Sequence, residues 1–467
     1  MGCANGKVYS RKLCRPLVTE ADLQRLSSAL ADLEPRRLRG RVRACLGQSL
    51  VAGGLHSFTA RGDICRIGTD DGPLLLAEVV GFDDGGVRLV AYADPAGVVR
   101  GAPVTLDRRW SAVRPHTSWQ GRVIDAFARP VDGLGPLPQG PEPRPLFAPP
   151  PDALARRPLG ARLRTGVRAL DLFVPCVEGQ RLGLFAGSGV GKSTLLSMLA
   201  RHAEVDVVVV GLVGERGREV GEFLTHALGP EGRQRAVVVV ATSDQPAMLR
   251  RRAAYLTLTV AEWFRDRGAR VLCLLDSITR FAAALREIFL SAGELPATRG
   301  YPASVFTELP RLLERAGPGT GTGTMTAVFS VLVEGDDPNE PISDAVRGIL
   351  DGHVVLARRI AERGRFPAVD VLASLSRAAP RCYAPDEREL VARARALLAT
   401  YESMAELVEM GAYERGSNPE LERAIAVRPA IEALLAQAPD EPPTDDPFAR
   451  LAAALAAAEA GTSGNRP

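Results

Sequence analysis

The sequence predicts an α/β protein in which a small β-barrel precedes a parallel-sheet core and a helical domain follows it. Three observations support this fold class. Uninterrupted β-branched runs alternate with helical stretches between about residue 160 and residue 385, as is typical of parallel strands buried on both faces. Short β-like runs cut by glycine and aspartate turns come before this region, and no strand-like run comes after it. We therefore expect three domains, within the two to four that 467 residues allow.

The composition excludes several classes of protein. Hydrophobic residues make up 46% of the chain and charged residues 24%, the profile of a globular protein with sizeable cores. The net charge of +3 excludes a strongly basic nucleic-acid binder but not a local basic groove. No apolar stretch reaches ~18 residues, the N-terminus lacks the apolar core of a signal peptide, and the scattered cysteines form no C-x-x-C pair. We expect a cytoplasmic protein without a membrane span, disulfide framework or zinc site.

The N-terminal segment contains a short amphipathic pattern. Residues 18–33 predict a helix, because four leucines recur at helical spacing after a capping-box pair. This helix packs on its own domain or docks another protein, and both interpretations stay open at this stage. We assign residues 1–35 as a partner-docking segment. The residues of the pattern are Thr19, Asp22, Leu23, Leu26, Leu30 and Leu33.

A small β-barrel is predicted for residues 36–115. Its β-like runs are short and closely spaced, as in barrels whose strands are joined by tight turns. The domain begins with five arginines within residues 36–43, which predict either a solvated strand edge or a surface for an anionic lipid or a partner. The β-like runs are residues 64–67, 74–80, 87–92 and 103–106.

The α/β core is assigned to residues 116–385. Near its start, residues 130–158 are rich in proline and predict a stiff linker or an ordered extended crossing. Residues 386–467 are assigned to a helical domain, whose tail beyond Pro439 is expected to be flexible because it is rich in alanine, proline and acidic residues. The predicted core strands are residues 182–185, 205–213, 236–241, 271–275 and 325–332, and the predicted C-terminal helices are residues 386–410 and 420–437.

A glycine-rich loop between a predicted strand and a predicted helix gives the strongest chemical signal. It has the spacing of a phosphate-binding P-loop, in which backbone N–H groups surround the β-phosphate. Lys192 is expected to reach the β- and γ-phosphates, and the Ser193 hydroxyl to ligate Mg²⁺. The strict pattern has glycine where this chain has Ala186, a change that costs little when φ is negative. The nucleotide-binding loop is Ala186, Gly187, Ser188, Gly189, Val190, Gly191, Lys192, Ser193 and Thr194.

Two acidic residues follow predicted core strands. Asp276 ends the run 271–275, and an acid at the carboxyl end of a buried strand faces the ligand crevice of an open α/β sheet. After a P-loop, Asp276 is the expected partner of Mg²⁺, through a water molecule. Glu215 follows the run 205–213 directly, where it can polarise an attacking water or simply cap a helix, and spacing alone does not decide between these roles.

These segments together resemble the catalytic subunits of rotary ATP synthases, and among their relatives the flagellar protein-export ATPases of the type III secretion branch. The resemblance is dense from about residue 120 to residue 430 and only architectural from residue 1 to residue 115. The sequences of residues 168–171 and 186–194 favour the flagellar members. Further matching segments are residues 253–266, 275–282, 296–302, 309–317 and 333–353.

The resemblance implies a RecA-like P-loop ATPase core and roles for individual residues. Glu215 resembles the catalytic carboxylate, Arg216 its neighbour in the phosphate pocket, and Arg280 a second pocket arginine. Arg377, in the segment 374–377, matches the arginine finger that crosses a subunit boundary, with a surface arginine as the alternative. An acid at position 215 favours an active enzyme, because noncatalytic subunits of the rotary family are expected to lack it.

The resemblance also places aromatic residues beside the base. Phe366 stands where the family has an aromatic ring against adenine, commonly tyrosine. Tyr413 is a second candidate for the base pocket, and a tyrosine packed in an interface is the alternative. The implied cofactor is Mg²⁺, bound with ATP as the substrate.

The implied machine is a homohexamer that hydrolyses Mg-ATP to energise type III protein export during flagellum assembly. It is expected to release chaperones and to unfold substrates at the export gate, from the cytoplasmic face of the inner membrane. The expected partners are a regulatory protein at the N-terminal segment, a coiled-coil stalk protein in the ring, export chaperones with flagellar cargo, and export-gate membrane proteins. No specific nucleic acid is expected.

Four alternatives remain at this point. The chain could be an injectisome secretion ATPase or the catalytic subunit of a rotary ATP synthase, since both share the pocket chemistry. An RNA-translocating hexamer would need aromatic stacking platforms in its barrel, and a nucleotide-binding scaffold would not need Glu215 or Arg377. The only aromatic residues between 38 and 115 are Phe58, Phe82, Tyr92 and Trp110.

Overall fold

The computed structural model describes residues 23, 26, 38–69, 74–333, 340–414 and 416–463. The expected docking segment at residues 1–35 therefore lies outside the described residues, except for Leu23 and Leu26. Both of these leucines are helical and exposed. None of the helices within the described ranges is long and apolar enough to cross a membrane.

Six antiparallel strands form a closed barrel near the N-terminus, which confirms the predicted domain type. The strands are arranged in the order β1-β2-β5-β4-β3-β6, with β6 pairing back to β1. Side chains alternate between the barrel interior and solvent, and aliphatic residues such as Leu50, Ile67 and Leu89 fill the interior. The strands are β1 (Arg39–Leu46), β2 (Ser49–Gly53), β3 (Ile64–Ile67), β4 (Leu75–Asp83), β5 (Gly86–Ala91) and β6 (Pro103–Leu106).

The arginine-rich start of the barrel is not a strand edge, contrary to the first of our two interpretations. β1 pairs with β2 on one side, and its residues 39–41 pair with β6 on the other, so this part of the strand has no free edge. Arg39, Arg41 and Arg43 are exposed, while Gly40 and Val42 between them are buried. These three arginines therefore lie on the outward-facing side of a barrel strand, while Arg36 and Arg37 lie outside the described residues.

The proline-rich segment after the barrel crosses the core as ordered extended chain. Leu137 and Leu146 are buried, and Trp119 Nε1 donates to the carbonyl oxygen of Pro138 at 2.7 Å. Arg315, from the core, donates to the carbonyl oxygen of Leu146 at 2.7 Å. Four short strands lie in or beside this crossing: β7 (Ala112–Val113), β8 (Val123–Ile124), β9 (Arg144–Pro145) and β10 (Arg162–Leu163).

The core is a nine-stranded sheet whose main path is β19-β18-β12-β17-β15-β13-β14-β8. All pairs along this path are parallel except β18 with β19, and β16 adds an antiparallel pair to β17. The five predicted strands are present, while β18 was not predicted. Besides β8, the strands here are β11 (Cys176–Val177, paired with β10), β12 (Arg181–Ala186), β13 (Val207–Val213), β14 (Ala236–Ala241), β15 (Arg270–Asp276), β16 (Gly317–Pro318), β17 (Thr324–Leu332), β18 (Gly352–Leu356) and β19 (Leu375–Ser376).

Helices cover the sheet and form the C-terminal domain. The longest core helix, α5, is buried along most of its length against β13 and β15. The helices are α1 (Arg168–Phe173), α2 (Lys192–His202), α3 (Gly217–Glu222), α4 (Gly229–Gln234), α5 (Ala247–Arg265), α6 (Ile278–Ser291), α7 (Ala303–Leu313), α8 (Pro341–Ile349), α9 (Arg358–Glu362), α10 (Ala379–Cys382), α11 (Pro385–Glu409), α12 (Pro419–Leu435) and α13 (Pro447–Ser463).

A buried charge cluster joins the barrel to the core. Arg251 of α5 contacts Glu78 of β4 at 2.7 Å and Glu308 of α7 at 3.0 Å. Tyr92 Oη donates to Glu78 at 2.5 Å, and Tyr255 Oη donates to Glu308 at 2.6 Å. Burial raises the pKa of the Glu308 carboxyl, but Arg251 and Tyr255 outweigh burial and hold this pKa below its ordinary value.

The expected flexible tail beyond Pro439 is instead largely helical. Helix α13 packs Phe448, Leu451 and Leu455 into the same core as α12, and all three side chains are buried. The alanine-rich composition that suggested flexibility is also the composition of a good helix, and three large apolar residues at near-helical spacing provide its buried face.

Candidate nucleotide-binding and catalytic site

The glycine-rich loop connects β12 to α2 at the carboxyl edge of the sheet. Ala186 is the last residue of β12 and keeps an extended backbone, so an alanine at this position carries no strain. Gly189 and Gly191 have φ values of +78° and +93°, a region that favours glycine. Helix α2 begins at Lys192, and its N-terminal N–H groups point toward the loop, as an anion-binding site requires.

Lys192 contacts the two predicted acidic residues at once. Its Nζ lies 3.3 Å from Oε1 of Glu215 and also contacts Oδ1 of Asp276, which accepts a further bond from Ser330 Oγ at 2.5 Å. Burial by itself lowers the pKa of the Lys192 ammonium, but the carboxylates of Asp276 and Glu215 outweigh burial and raise it. These three residues come from α2, β15 and the loop after β13, because the carboxyl ends of parallel strands meet at one edge.

The two predicted pocket arginines line the same cleft. Arg216 is exposed and contacts Glu219 at 3.3 Å. Arg280, on α6, packs over Gly214, where a Cβ atom would lie 2.8 Å from Arg280 Cβ. Gly214 also has a φ of +74°, so glycine is required here both by backbone conformation and by space.

The cleft has a volume of about 1010 Å³ and carries an excess of positive charge. Six cationic side chains and three carboxylates line it, an arrangement suited to a triphosphate. Sequence reasoning missed five of these nine charged residues. Arg358 lies just beyond the end of β18, and its Nη2 donates to the carbonyl oxygen of Ser188 in the P-loop at 3.3 Å. The other missed lining residues include Arg250 and Glu287, which form an ion pair at 2.7 Å, together with Arg286, Glu219 and Tyr301.

Recognising residues 352–356 as a strand would have placed Arg358 at the functional edge of the sheet. The pairing of Arg250 with Glu287 joins two different helices, α5 and α6, and has no sequence signal. The positions of Arg286 and Tyr301 at the cleft also depend on how the elements pack, so sequence spacing alone could not assign them.

Neither aromatic candidate for the base is among the residues that line the cleft, but Phe366 is close to the P-loop. Phe366 lies beside the P-loop, since a Cβ atom built on Gly191 would be 3.5 Å from its Cδ1. Tyr413 follows α11, and its hydroxyl contacts the carbonyl oxygen of Asn418 and the carboxylate of Glu422. Tyr413 does not line the cleft of its own chain, and these contacts lie within the helical domain, so neither the base-pocket role nor the packed interface is tested and both stay predictions.

The predicted arginine finger, Arg377, directly follows β19 at the far end of the sheet path. Its backbone N–H donates to the carbonyl oxygen of Asp351, and its side chain is exposed. Arg377 does not line the cleft of its own chain. This position does not test its action on a neighbouring copy, and the role stays a prediction.

The donor set at the edge of the sheet fits Mg²⁺. Ser193 lines the cleft beside Lys192, and Asp276 supplies carboxylate oxygen nearby. Within the described residues no three His, Cys, Asp or Glu side chains converge on a metal site. Mg²⁺ at nucleotide sites is held by one or two protein oxygens with the substrate phosphates, so Ser193 and Asp276 suffice.

Three family models match the chain in succession. Residues 51–106 match the beta-barrel domain of the ATP synthase alpha/beta family, and residues 166–376 match the nucleotide-binding domain of that family. Residues 383–455 match the C-terminal domain of the type III secretion ATPase EscN.

Curated relatives match over nearly the whole chain. The flagellum-specific ATP synthase of Caulobacter vibrioides is 53% identical over 439 residues, which cover 92% of this chain and 98% of that protein. The chain belongs to the family of flagellar and type III secretion ATPases. The SPI-2 type 3 secretion system ATPase of Salmonella typhimurium is 48% identical over 78% of this chain and 84% of that protein.

Solved structures of this family have the same fold. The assembled ATPase EscN from the type III secretion system of enteropathogenic E. coli has a TM-score of 0.83 and 39% identity, over 89% of this chain and all of that chain. EscN in complex with its central stalk EscO has a TM-score of 0.80 and 38% identity, over 90% of this chain and 99% of that one. The resemblance found in the sequence is thereby confirmed, and ATP hydrolysis is the activity that characterises the family.

Proposed function

We propose that this chain hydrolyses Mg-ATP in a homohexameric ring and energises type III protein export during flagellum assembly. One observation carries the proposal: Lys192, at the P-loop edge of the sheet, contacts both Glu215, which lines the cationic cleft with it, and the buried Asp276. Membership of a family of flagellar ATPases supplies the process that this chemistry serves.

The P-loop and its surroundings bind the triphosphate. Backbone N–H groups of residues 187–194 and the N-terminus of α2 surround the β-phosphate. Lys192 then exchanges its contacts with Glu215 and Asp276 for the β- and γ-phosphates, while Arg216 and Arg280 offset the remaining negative charge. Phe366 provides a face on which adenine stacks.

Mg²⁺, when bound, would supply positive charge that offsets the negative charge developing on the phosphates. Ser193 and Asp276 are the residues that would hold it, Asp276 through water. Glu215, freed from Lys192, orients a water molecule for in-line attack on the γ-phosphorus. The new bond joins the water oxygen to phosphorus, the water gives one proton to Glu215, the bond from phosphorus to the bridging oxygen breaks, and ADP leaves with that electron pair. Arg377 of an adjacent copy stabilises charge on the γ-phosphate.

The proposed partners follow from the family. EscN is described in complex with a central stalk, EscO, and we infer that a coiled-coil stalk protein occupies the ring of this chain. We propose further that residues 1–35 bind a regulatory protein, and that export chaperones, flagellar cargo and export-gate membrane proteins meet the ring at the cytoplasmic face of the inner membrane.

Export is tested in the host organism by deleting the gene and restoring it as wild type or as Glu215→Gln. Wild type is expected to restore flagellar filament protein in the culture medium, and the variant is not. Arg311→Gln, an exposed change outside the catalytic cleft, is the matched control. Normal filament export in the deletion strain would contradict the proposal.

Secretion for an injectisome is the second candidate, because a type 3 secretion ATPase is 48% identical to this chain. The same deletion strain separates the two functions. Loss of secreted effector proteins with unchanged flagellar filaments would favour the injectisome.

A further inference from the structure

A buried arginine fixes the segment after α12 to the core. Arg168 begins α1 and is 5% exposed. Its Nε donates to the carbonyl oxygen of Leu434 at 2.7 Å, and its terminal nitrogens contact the carbonyl oxygen of Ala436 and the carboxylate of Glu441. The end of α12 is therefore held against the first turn of α1.

Gln437 lies at the centre of this junction and is 3% exposed. Its Oε1 accepts from the backbone N–H of Arg168 at 3.0 Å, and its Nε2 donates to the carbonyl oxygen of Gly166 at 2.9 Å. A buried amide that meets one donor and one acceptor of the same segment has a single favourable orientation. Replacing it with an apolar residue leaves both backbone groups without this partner.

The same residue also holds Phe366. The backbone N–H of Gln437 donates to the carbonyl oxygen of Phe366 at 2.9 Å. The preceding residue, Arg365, contacts Glu432 of α12 at 2.5 Å, a second link between this helix and the loop of Phe366. The ring of Phe366 in turn lies beside Gly191 of the P-loop. Gln437 thus connects the C-terminal helices to the ring that flanks the nucleotide cleft.

We propose that Gln437 is a positioning residue for the nucleotide base, which sets Phe366 against the P-loop and couples this ring to the position of α12. The inference rests on the proposed function, in which adenine stacks on Phe366. Moving α12 breaks the bond between Gln437 and Phe366 without changing the P-loop. Affinity for the base and affinity for the phosphates therefore change separately.

The test compares the Kd of Mg-ADP with the Kd of Mg-pyrophosphate by titration calorimetry on the full chain. Gln437→Leu keeps the backbone bond to Phe366 but removes the side-chain bonds that fix residue 437 to Gly166 and Arg168, and it is expected to weaken Mg-ADP about tenfold and to leave Mg-pyrophosphate within about twofold. Val427→Ala, a buried change on the same helix, removes side-chain volume but none of the bonds of Gln437, and it is expected to leave the ratio of the two constants unchanged. Equal weakening of both ligands by Gln437→Leu, or no weakening of Mg-ADP, would overturn the proposal.

Gln437→Glu keeps the acceptor for Arg168 and loses the donor to Gly166, so it serves when Gln437→Leu does not fold. It is expected to weaken Mg-ADP in the same selective way.

In a Phe366→Ala background, Gln437→Leu is expected to have no further effect, because the two residues act in series. If Phe366→Ala itself leaves Mg-ADP unchanged, the base role fails and the positioning role fails with it. ATP hydrolysis that is lost in Glu215→Gln would then still support the catalytic part of the proposed function.

Discussion

Two positions of the P-loop differ in how strongly the backbone conformation restricts the residue type. Gly191 has a φ of +93°, and a Cβ atom there would contact Phe366. Ala186, the first residue of the P-loop pattern, lies in extended backbone, where alanine and glycine are both permitted. The departure of this chain from the strict P-loop pattern therefore falls at a position without a backbone constraint.

Exchanging glycine and alanine at positions 191 and 186 tests this difference in backbone restriction. Gly191→Ala is expected to cost about 1–2 kcal/mol of backbone strain and, as the loop moves to relieve it, to weaken Mg-ADP about tenfold. Ala186→Gly is the matched control and is expected to leave Mg-ADP binding unchanged. Titration calorimetry measures both. Tighter binding by Ala186→Gly would show that its Cβ atom obstructs the phosphates.

Among individual residues, the sequence predicted those that belong to local motifs. The P-loop and Glu215 come after strands and Asp276 ends one, and the structure brings Lys192, Glu215 and Asp276 into contact, while their roles stay predictions. Tyr413 was proposed for the base pocket on resemblance alone, and its contacts lie elsewhere. Arg250 and Arg286 reach the cleft from helices, and tertiary packing alone brings them there.

Between elements, the charge cluster of Arg251, Glu78 and Glu308 holds the barrel on the core. Arg251→Ala leaves two buried carboxylates without their cation and is expected to destabilise the fold by about 3–5 kcal/mol at neutral pH. Arg267→Ala breaks an exposed pair with Glu142 and is the control, with an expected loss below about 1 kcal/mol. Urea unfolding measures both, and equal losses would contradict this account of the cluster.

The effect of Arg251→Ala is also expected to depend on pH. Arg251 holds the pKa of Glu308 below its ordinary value in the folded state. That stabilisation is present above the unfolded pKa of about 4.3 and is lost as the pH falls through the folded pKa. The difference in unfolding free energy between wild type and Arg251→Ala should therefore shrink below about pH 4. A difference that stays constant down to pH 3 would contradict this assignment.

Helix α13 makes a separate prediction. Leu451 is fully buried, so Leu451→Ala is expected to cost about 2–5 kcal/mol. Arg450→Ala, one residue away and exposed, is expected to cost less than about 0.5 kcal/mol. Thermal unfolding of the full chain compares them. Equal melting temperatures for wild type and Leu451→Ala would contradict this packing and favour the flexible tail that the composition predicts.

Strands and helices were predictable where the hydrophobic pattern of a run had one clear period. The core strands are continuous apolar runs and were found, while β18 is short and carries a histidine in its Gly-His-Val-Val-Leu run, and it was missed. The closure of the barrel depends on pairing between β1 and β6, about sixty residues apart, which no local pattern contains.

In the whole molecule, the proposed catalytic groups do not all belong to one cleft. Lys192, Glu215 and Asp276 meet at the P-loop edge, whereas Arg377 is exposed and does not line the cleft of its own chain. A complete site would then require two copies, with Arg377 of one beside Glu215 of the other. This is the central claim of the proposed mechanism, and family membership does not by itself test it.

Mixing two inactive variants tests this claim most directly. Glu215→Gln and Arg377→Ala are each expected to lose ATP hydrolysis, the second by about 10³–10⁵-fold in kcat. Arg381→Ala serves as a control for the loss of a nearby arginine. A mixed ring of the two inactive variants contains interfaces in which Glu215 and Arg377 are both intact. Activity of the mixture well above the sum of the separate variants is the expected result. No gain, in mixtures shown by sedimentation to form mixed rings, would contradict the shared site.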